Sequence, residues 1–202
     1  SGSDNTFDKK VQSNYSGEFG VLFSLSRLNL RVGVELLSPR EISDVVGTSS
    51  AGVEQFSLDT KILAVIPHAA LEFALLQSNT AKFLVGGGLG AASVSLDNIY
   101  KMTAAGTASS GLADFTESAK GLTYMGQIYS AVEFLLSDNV TTVLDVGYRY
   151  FYLKKLTYTR DGSSYAGTQV KDNEVVNMDG ARRSLDLGGY FVGLGFRFYL
   201  QL

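Results

Sequence analysis

Apolar residues recur at every second position along almost the whole chain. Phe19, Val21, Phe23 and Leu25 occupy odd positions, and Leu28, Leu30, Val32, Val34 and Leu36 occupy even ones. Successive side chains of a β-strand leave opposite faces of the pleat, so each run predicts a strand with one apolar face. The change of parity at Ser26-Arg27 predicts a tight hairpin or a bulge. Further stripes follow: Leu63, Val65, Pro67, Ala69, Leu71, Phe73, Leu75; then Phe83, Val85, Gly87, Leu89, Ala91; then Leu122, Tyr124, Ile128, Val132, Phe134, Leu136. Leu144, Val146, Tyr148, Tyr150 and Tyr152 make another. A closing stripe carries Tyr190, Val192, Leu194, Phe196, Phe198, Leu200 and Leu202, opposite Phe191, Gly193, Gly195, Arg197, Tyr199 and Gln201.

The connections alternate in length. Short turns fall near Ser26, at 77–80 and at 137–139, whereas longer polar stretches rich in Gly, Ser, Thr and Asp fall at 47–55, 98–119 and 158–183. Short turns on one side and long loops on the other are the habit of transmembrane β-barrels. The strand signals, roughly 12–18 residues long, suit strands that cross a bilayer at a tilt. Seven strands are legible. Closed bacterial barrels have an even number, and the weak alternation of Phe7, Lys9 and Val11 puts an eighth at 6–12. The prediction is one domain over 1–202, an all-β, antiparallel, up-and-down transmembrane barrel of eight strands.

Opposite the apolar stripes stand Glu18, Arg31, Glu35, His68, Glu72, Glu133, Asp145, Arg149 and Arg197, spaced by glycines. Alternation alone is symmetric, so two readings arise. In one the charges fill the lumen and the apolar stripes face lipid; in the other a soluble barrel keeps its apolar residues inside. Three features favour the first. Tyr148, Tyr150 and Tyr152 crowd the end of one stripe, where an interfacial aromatic girdle lies. The charged face is too sparse for a water-exposed surface. A barrel of this size also cannot enclose every apolar residue, since eight strands leave an interior just wide enough for side chains.

Composition narrows the class. With 45% hydrophobic and 18% charged residues the chain is poor in charge, yet the longest apolar stretch, 62–76, is broken by Pro67, His68 and Glu72, so no helix of membrane length is expected. No cysteine is present, which removes disulfides and thiol chemistry. A net charge of −3 argues against nucleic acid as a partner. No export signal is visible, and Ser1-Gly2-Ser3 reads as a non-native remnant.

The alternating strands, the turn and loop lengths and the final stripe Leu194-Phe196-Phe198-Leu200 together resemble the OmpA/OmpW-type outer-membrane barrels of Gram-negative bacteria. The resemblance covers nearly the whole chain as an architecture, not as a single motif. It implies an outer-membrane location and lipid or lipopolysaccharide as surroundings. That family usually ends on an aromatic residue, whereas Leu202 stands last here, and no peptidoglycan-binding domain follows the barrel.

Candidate chemistry is thin. His68 is the one histidine, which rules out a multi-histidine metal site. His68 and Glu72 share a face but lie about 13 Å apart along an extended strand, too far to share a metal. Gly86-Gly87-Gly88-Leu89-Gly90 lacks the Lys-Ser/Thr and following helix of a phosphate loop and fits close backbone approach. Arg182-Arg183, at the base of the last long loop, offers chemistry for lipopolysaccharide phosphates, but the favoured reading gives it no specific ligand. Asp97, Asp161, Asp172 and Asp179 lack calcium-loop spacing. The expectation is a structural barrel with a charged, plugged lumen, without catalytic residue, cofactor or metal. Its small-residue outer stripe at Gly87 and Ala91 suits packing into a homo-oligomer. The alternatives are a porin for small solutes and a lipid A-modifying enzyme using His68.

Overall fold

The computed structural model describes residues 6–7, 14–39, 42–164, 167–177 and 180–199. Its strands are β1 (Thr6–Phe7), β2 (Asn14–Leu25), β3 (Leu28–Pro39), β4 (Ile42–Thr48), β5 (Glu54–Gln77), β6 (Ala81–Met102), β7 (Phe115–Ser137) and β8 (Val140–Leu153). Then come the short β9 (Thr157–Tyr158), β10 (Gly162–Ser164), β11 (Gly167–Gln169) and β12 (Leu185–Asp186), and finally β13 (Gly189–Phe198). One short helix, α1 (Ala104–Ser110), joins β6 to β7. Its Thr103 hydroxyl accepts from the Gly106 amide and Gly111 closes it at φ 74°.

The long strands pair in chain order, β2 to β3 to β5 to β6 to β7 to β8 to β13, and every ladder is antiparallel. β4 continues the line of β3 along β5, with a bulge between Ile42 and Val45 where Asp44 takes φ 53°. The turn at Ser26-Arg27 is the expected tight hairpin, with Leu25 opposite Leu28 and Ser26 at φ 59°.

Two expectations change. Thr6 and Phe7 do form a strand, but they pair with Thr48 and Gly47 of β4, beyond the end of β2, and so extend the first strand line instead of adding a neighbour to it. Residues 8–12, Asp179 and the terminal 200–202 lie outside the described residues. Among the described residues seven long strands therefore stand, where eight were expected of the whole chain, and no ladder joins β2 to β13. The stretch at 98–119 is also less loop than its polarity suggested. β6 runs on to Met102 and β7 begins at Phe115, so Asn98 and Glu117 are strand residues.

The sheet is tightly curled. Arg149 on β8 reaches Glu35 on β3, and Arg197 on β13 reaches Glu72 on β5. Each pair is separated by four ladder steps, about 19 Å in a flat sheet. Ion-pair contact across that span requires the strands to wrap around a common interior. The described strands thus divide residues into an inner and an outer face, as the alternation predicted. On β5 the pattern is strict, with Ile62, Ala64, Ile66, His68, Ala70, Glu72 and Ala74 buried and their odd-numbered neighbours exposed.

The outer face is apolar. Leu122 and Tyr124 are each 82% exposed, Leu89 76%, Val192 82% and Tyr190 90%. Ordinary soluble monomers expose continuous apolar patches of only a few hundred Å², whereas this belt continues over all seven long strands. On β7 it runs from Leu122 to Leu136, fourteen residue steps or about 46 Å along the strand. At the tilt of about 40° usual for membrane barrels, that projects to about 35 Å, enough to cover an apolar band of about 25 Å.

Candidate functional site

Among the described residues the interior of the curled sheet concentrates the charged side chains, and its two ends are built differently. Toward the short turns a polar network ties the walls together. Both oxygens of Glu72 on β5 accept from Arg197 Nη2, at 2.7 and 2.8 Å. It also accepts from the Tyr129 hydroxyl on β7 at 2.9 Å. Tyr129 in turn accepts from Arg31 Nη2 on β3 at 3.1 Å, and the Arg31 guanidinium lies 5.1 Å from the tyrosine ring centre. Arg197 Nη1 donates to Glu133 at 2.9 Å, and Glu133 accepts further from Thr141 and Tyr199. Glu72 and Glu133 are 0% and 1% exposed. Carboxylates so deeply placed require several donors each, because removing a charge from water costs several kcal/mol that only close, multiple partners recover.

Glycines make room for this network. The Tyr129 ring lies over Gly86, where an added Cβ would stand 2.7 Å from the ring carbon Cζ. At Gly193 an added Cβ would overlap the Asp145 carboxylate. The glycine run at 86–90 therefore serves close side-chain approach within the antiparallel ladder of β6.

Midway up, Arg149 Nη2 donates to both oxygens of Glu35 at 2.7 and 2.9 Å. His68 Nε2 stands 3.2 Å from Glu18, an ion pair by distance whose angle falls short of a hydrogen bond, and its Nδ1 meets the Ile66 carbonyl at 3.3 Å. No serine hydroxyl appears among the described contacts of His68. Arg31 lies 3.4 Å from Glu18. All nine charges expected inside thus share the inner face. Glu18, Arg31, Glu35, Glu72, Glu133, Arg149 and Arg197 enter ion pairs there, and His68 joins them when protonated. Asp145 does not; its Oδ1 is buried without a hydrogen-bond partner among the described residues.

Toward the long loops the lumen turns apolar, which the alternation did not reveal. Leu37, Ile62, Ile66, Val94, Leu96, Met125, Phe151 and Leu153 point inward and pack as one cluster. The segment 154–188 completes it by folding inward, adding Leu156, Tyr158, Val175 and Leu187. Each fully buried side chain of this size contributes about 1.5–3 kcal/mol. The loop is also tied by a second polar group. Glu117 on β7, 3% exposed, accepts from Arg183 at 2.5 Å, Ser164 at 2.6 Å and Asn98 at 3.3 Å. Burial works against the Arg183 charge, but the adjoining Glu117 carboxylate outweighs it and holds the guanidinium's pKa above its usual value. A cavity of about 290 Å³ lies beside this cluster, lined in part by Thr60, Asn98, Asn177 and Arg183.

Of the two arginines singled out from sequence, Arg183 is therefore part of the lumen cap, whereas Arg182 is exposed and pairs with Glu174 at 3.1 Å. Glu117, Asn98 and Ser164 were missed. Their signal was the even spacing of Asn98 with Tyr100 and the odd spacing of Glu117 with Ala119, hidden in a stretch that composition marks as loop. Among the described residues no group of three or more acidic or histidine side chains could hold a metal ion. Neither protein-family models, curated proteins nor solved structures give a match to this chain.

Proposed function

We propose that this protein is a bilayer-spanning outer-membrane β-barrel whose lumen is closed by its own side chains, with a structural role in the envelope. One observation carries the reading: large apolar side chains face outward on every long strand while the arginine–carboxylate network faces inward. Water would favour the opposite arrangement, and hydrocarbon favours this one, because buried charges then find partners while the outer surface meets lipid. Tyr124, Tyr148, Tyr150 and Tyr190 stand outward toward the long-loop end and Phe134, Phe196 and Phe198 toward the short-turn end. Amphipathic tyrosine suits the headgroup level.

A plugged barrel differs from a porin in what it lets through. The polar network at one end and the apolar cluster with its inward loop at the other set side chains across the described interior at both ends. The test has two arms. Refolding into phospholipid vesicles followed by protease treatment leaves the strand segments protected; a protein that is monodisperse without detergent and fully digested beside vesicles sinks the membrane reading. In planar bilayers the inserted protein gives no reproducible current steps, and regular steps would replace the structural role with a porin.

A further inference from the structure

The seven long strands are joined by antiparallel ladders only, and seven is odd. The first and last, β2 and β13, therefore run in the same direction, both from the long-loop end to the short-turn end. The curl of the sheet turns these two edges toward each other, since Arg149–Glu35 and Arg197–Glu72 already bridge the interior. Among the described residues, no backbone hydrogen bond joins the two edges.

The interior near this seam is also less filled than elsewhere. Glu18, on the inner face of β2, keeps 27% of its side chain exposed, while Glu35 beside it on β3 keeps 3%. On β13, a Cβ added at Gly195 would meet nothing within 4 Å. Edges in direct contact would cover these positions.

We propose that the seam between β2 and β13 accepts one further polypeptide strand, running from the short-turn end to the long-loop end and antiparallel to both neighbours. Such a strand restores an even count and satisfies both edges by β-augmentation. Its side-chain pattern follows from what it would lie beside. Outward, Phe19, Val21 and Phe23 flank one side and Val192, Leu194 and Phe196 the other, so its outward positions are apolar. Inward, it meets the half-exposed Glu18 and approaches the unpartnered Asp145 oxygen, so its inward positions carry small and basic side chains. A second copy does not fit, because copies inserted with the same orientation again bring β2 and β13 together as parallel strands. That exclusion rests on the membrane reading, whereas the strand parity holds whether or not the protein enters a bilayer.

The chain has no cysteine, so seam distances are directly measurable. Val21→Cys is combined in turn with Val192→Cys, Leu194→Cys and Phe196→Cys in the full chain folded in detergent micelles. Adjacent strands bring Cβ atoms within disulfide reach, whereas one intervening strand separates the edges by about 10 Å. The expected result is efficient bridging of at least one pair by a bismaleimide with a spacer of about 10 Å, and no disulfide in any pair under oxidation. Disulfide formation in any pair, or bridging in none, overturns the proposal. Added to the cysteine-free protein, a ten-residue peptide alternating leucine with lysine and alanine binds saturably at one per chain. It slows amide exchange on β2 and β13 at least tenfold and leaves β6 unchanged. Equal behaviour from a peptide of the same composition with its leucines in one block, or no protection at either edge, also overturns it.

Discussion

The two ends of the lumen solve one problem in different ways. Toward the short turns the interior is held by Glu72, Glu133, Arg197, Arg31 and Tyr129, with alanines and glycines filling the spaces between. Toward the long loops it is held by Ile62, Ile66, Met125, Phe151 and Leu153, with an inward-folded loop as part of the packing. The polar end is directional: each contact names its partner, and the strands must sit in register for the network to form. The apolar end is not directional, and it borrows Leu156, Val175 and Leu187 from a loop to complete its volume. Strand register is therefore specified mainly at the polar end, and sealing of the mouth mainly at the apolar end.

Breaking the polar end has the largest effect. Glu72→Ala removes the shared acceptor of Arg197 and Tyr129 and leaves buried cation and hydroxyl without it. The expected loss is about 3–5 kcal/mol in reversible urea unfolding from detergent micelles, followed by far-UV circular dichroism. A loss below about 1 kcal/mol would mean that the network decorates the lumen without holding it. Leu153→Ala tests the apolar end. Leu153 is 1% exposed within that cluster, so the cavity costs about 3 kcal/mol, with the loop of 154–188 opening before the strands. Proteolysis within 154–188 at denaturant concentrations that leave the strands intact would report that order.

The contrast between the ends also explains what was legible in the sequence. At the polar end inner and outer faces differ in kind: Glu72 lies between Leu71 and Phe73, and Arg197 between Phe196 and Phe198, so period two marks each inner residue. At the apolar end the contrast disappears. In Ile62-Leu63-Ala64-Val65-Ile66 both faces are apolar, because one meets the lumen core and the other meets the outside, and alternation cannot separate them. Glu35 and Arg149 were legible as lumen charges, but their pairing was not, since it depends on a curl that brings β3 and β8 together. The loop's inward fold depends on contacts such as Glu117 with Arg183, 66 residues apart, which no local pattern encodes. The placing of Thr6 and Phe7 differs for a related reason: they alternate like strand residues, but pattern alone does not say whether a strand lies beside β2 or beyond its end.

A smaller effect separates the loop's ion pair from its apolar anchor. Arg183→Ala leaves Glu117 with the Asn98 and Ser164 donors, and the arginine keeps 21% of its side chain exposed, so the cost is about 1–2 kcal/mol. The loop then stays packed through Leu156 and Val175. If Arg183→Ala exposes the loop to protease as readily as Leu153→Ala does, the ion pair and not the apolar cluster seals the mouth.

The smallest effect lies outside both ends, where β4 meets β5. The Asp44 amide, at the bulge, donates to the Asp59 carboxylate at 2.9 Å, and Lys101 stands 3.6 Å from the same carboxylate. The Asp44 hydrogen bond holds the Asp59 carboxyl below its usual range, against a small opposing contribution from burial, with Lys101 assisting. A group whose folded pKa is depressed contributes stability above its unfolded value of about 4 and loses it as pH falls through the lower folded value. Wild-type protein is therefore slightly more stable than Asp59→Asn at pH 7, and the difference disappears on acidification below the lowered folded pKa of Asp59. Paired urea midpoints at the two pH values check this. A difference that persists in acid would assign the effect to the bulge's shape instead of the Asp59 charge.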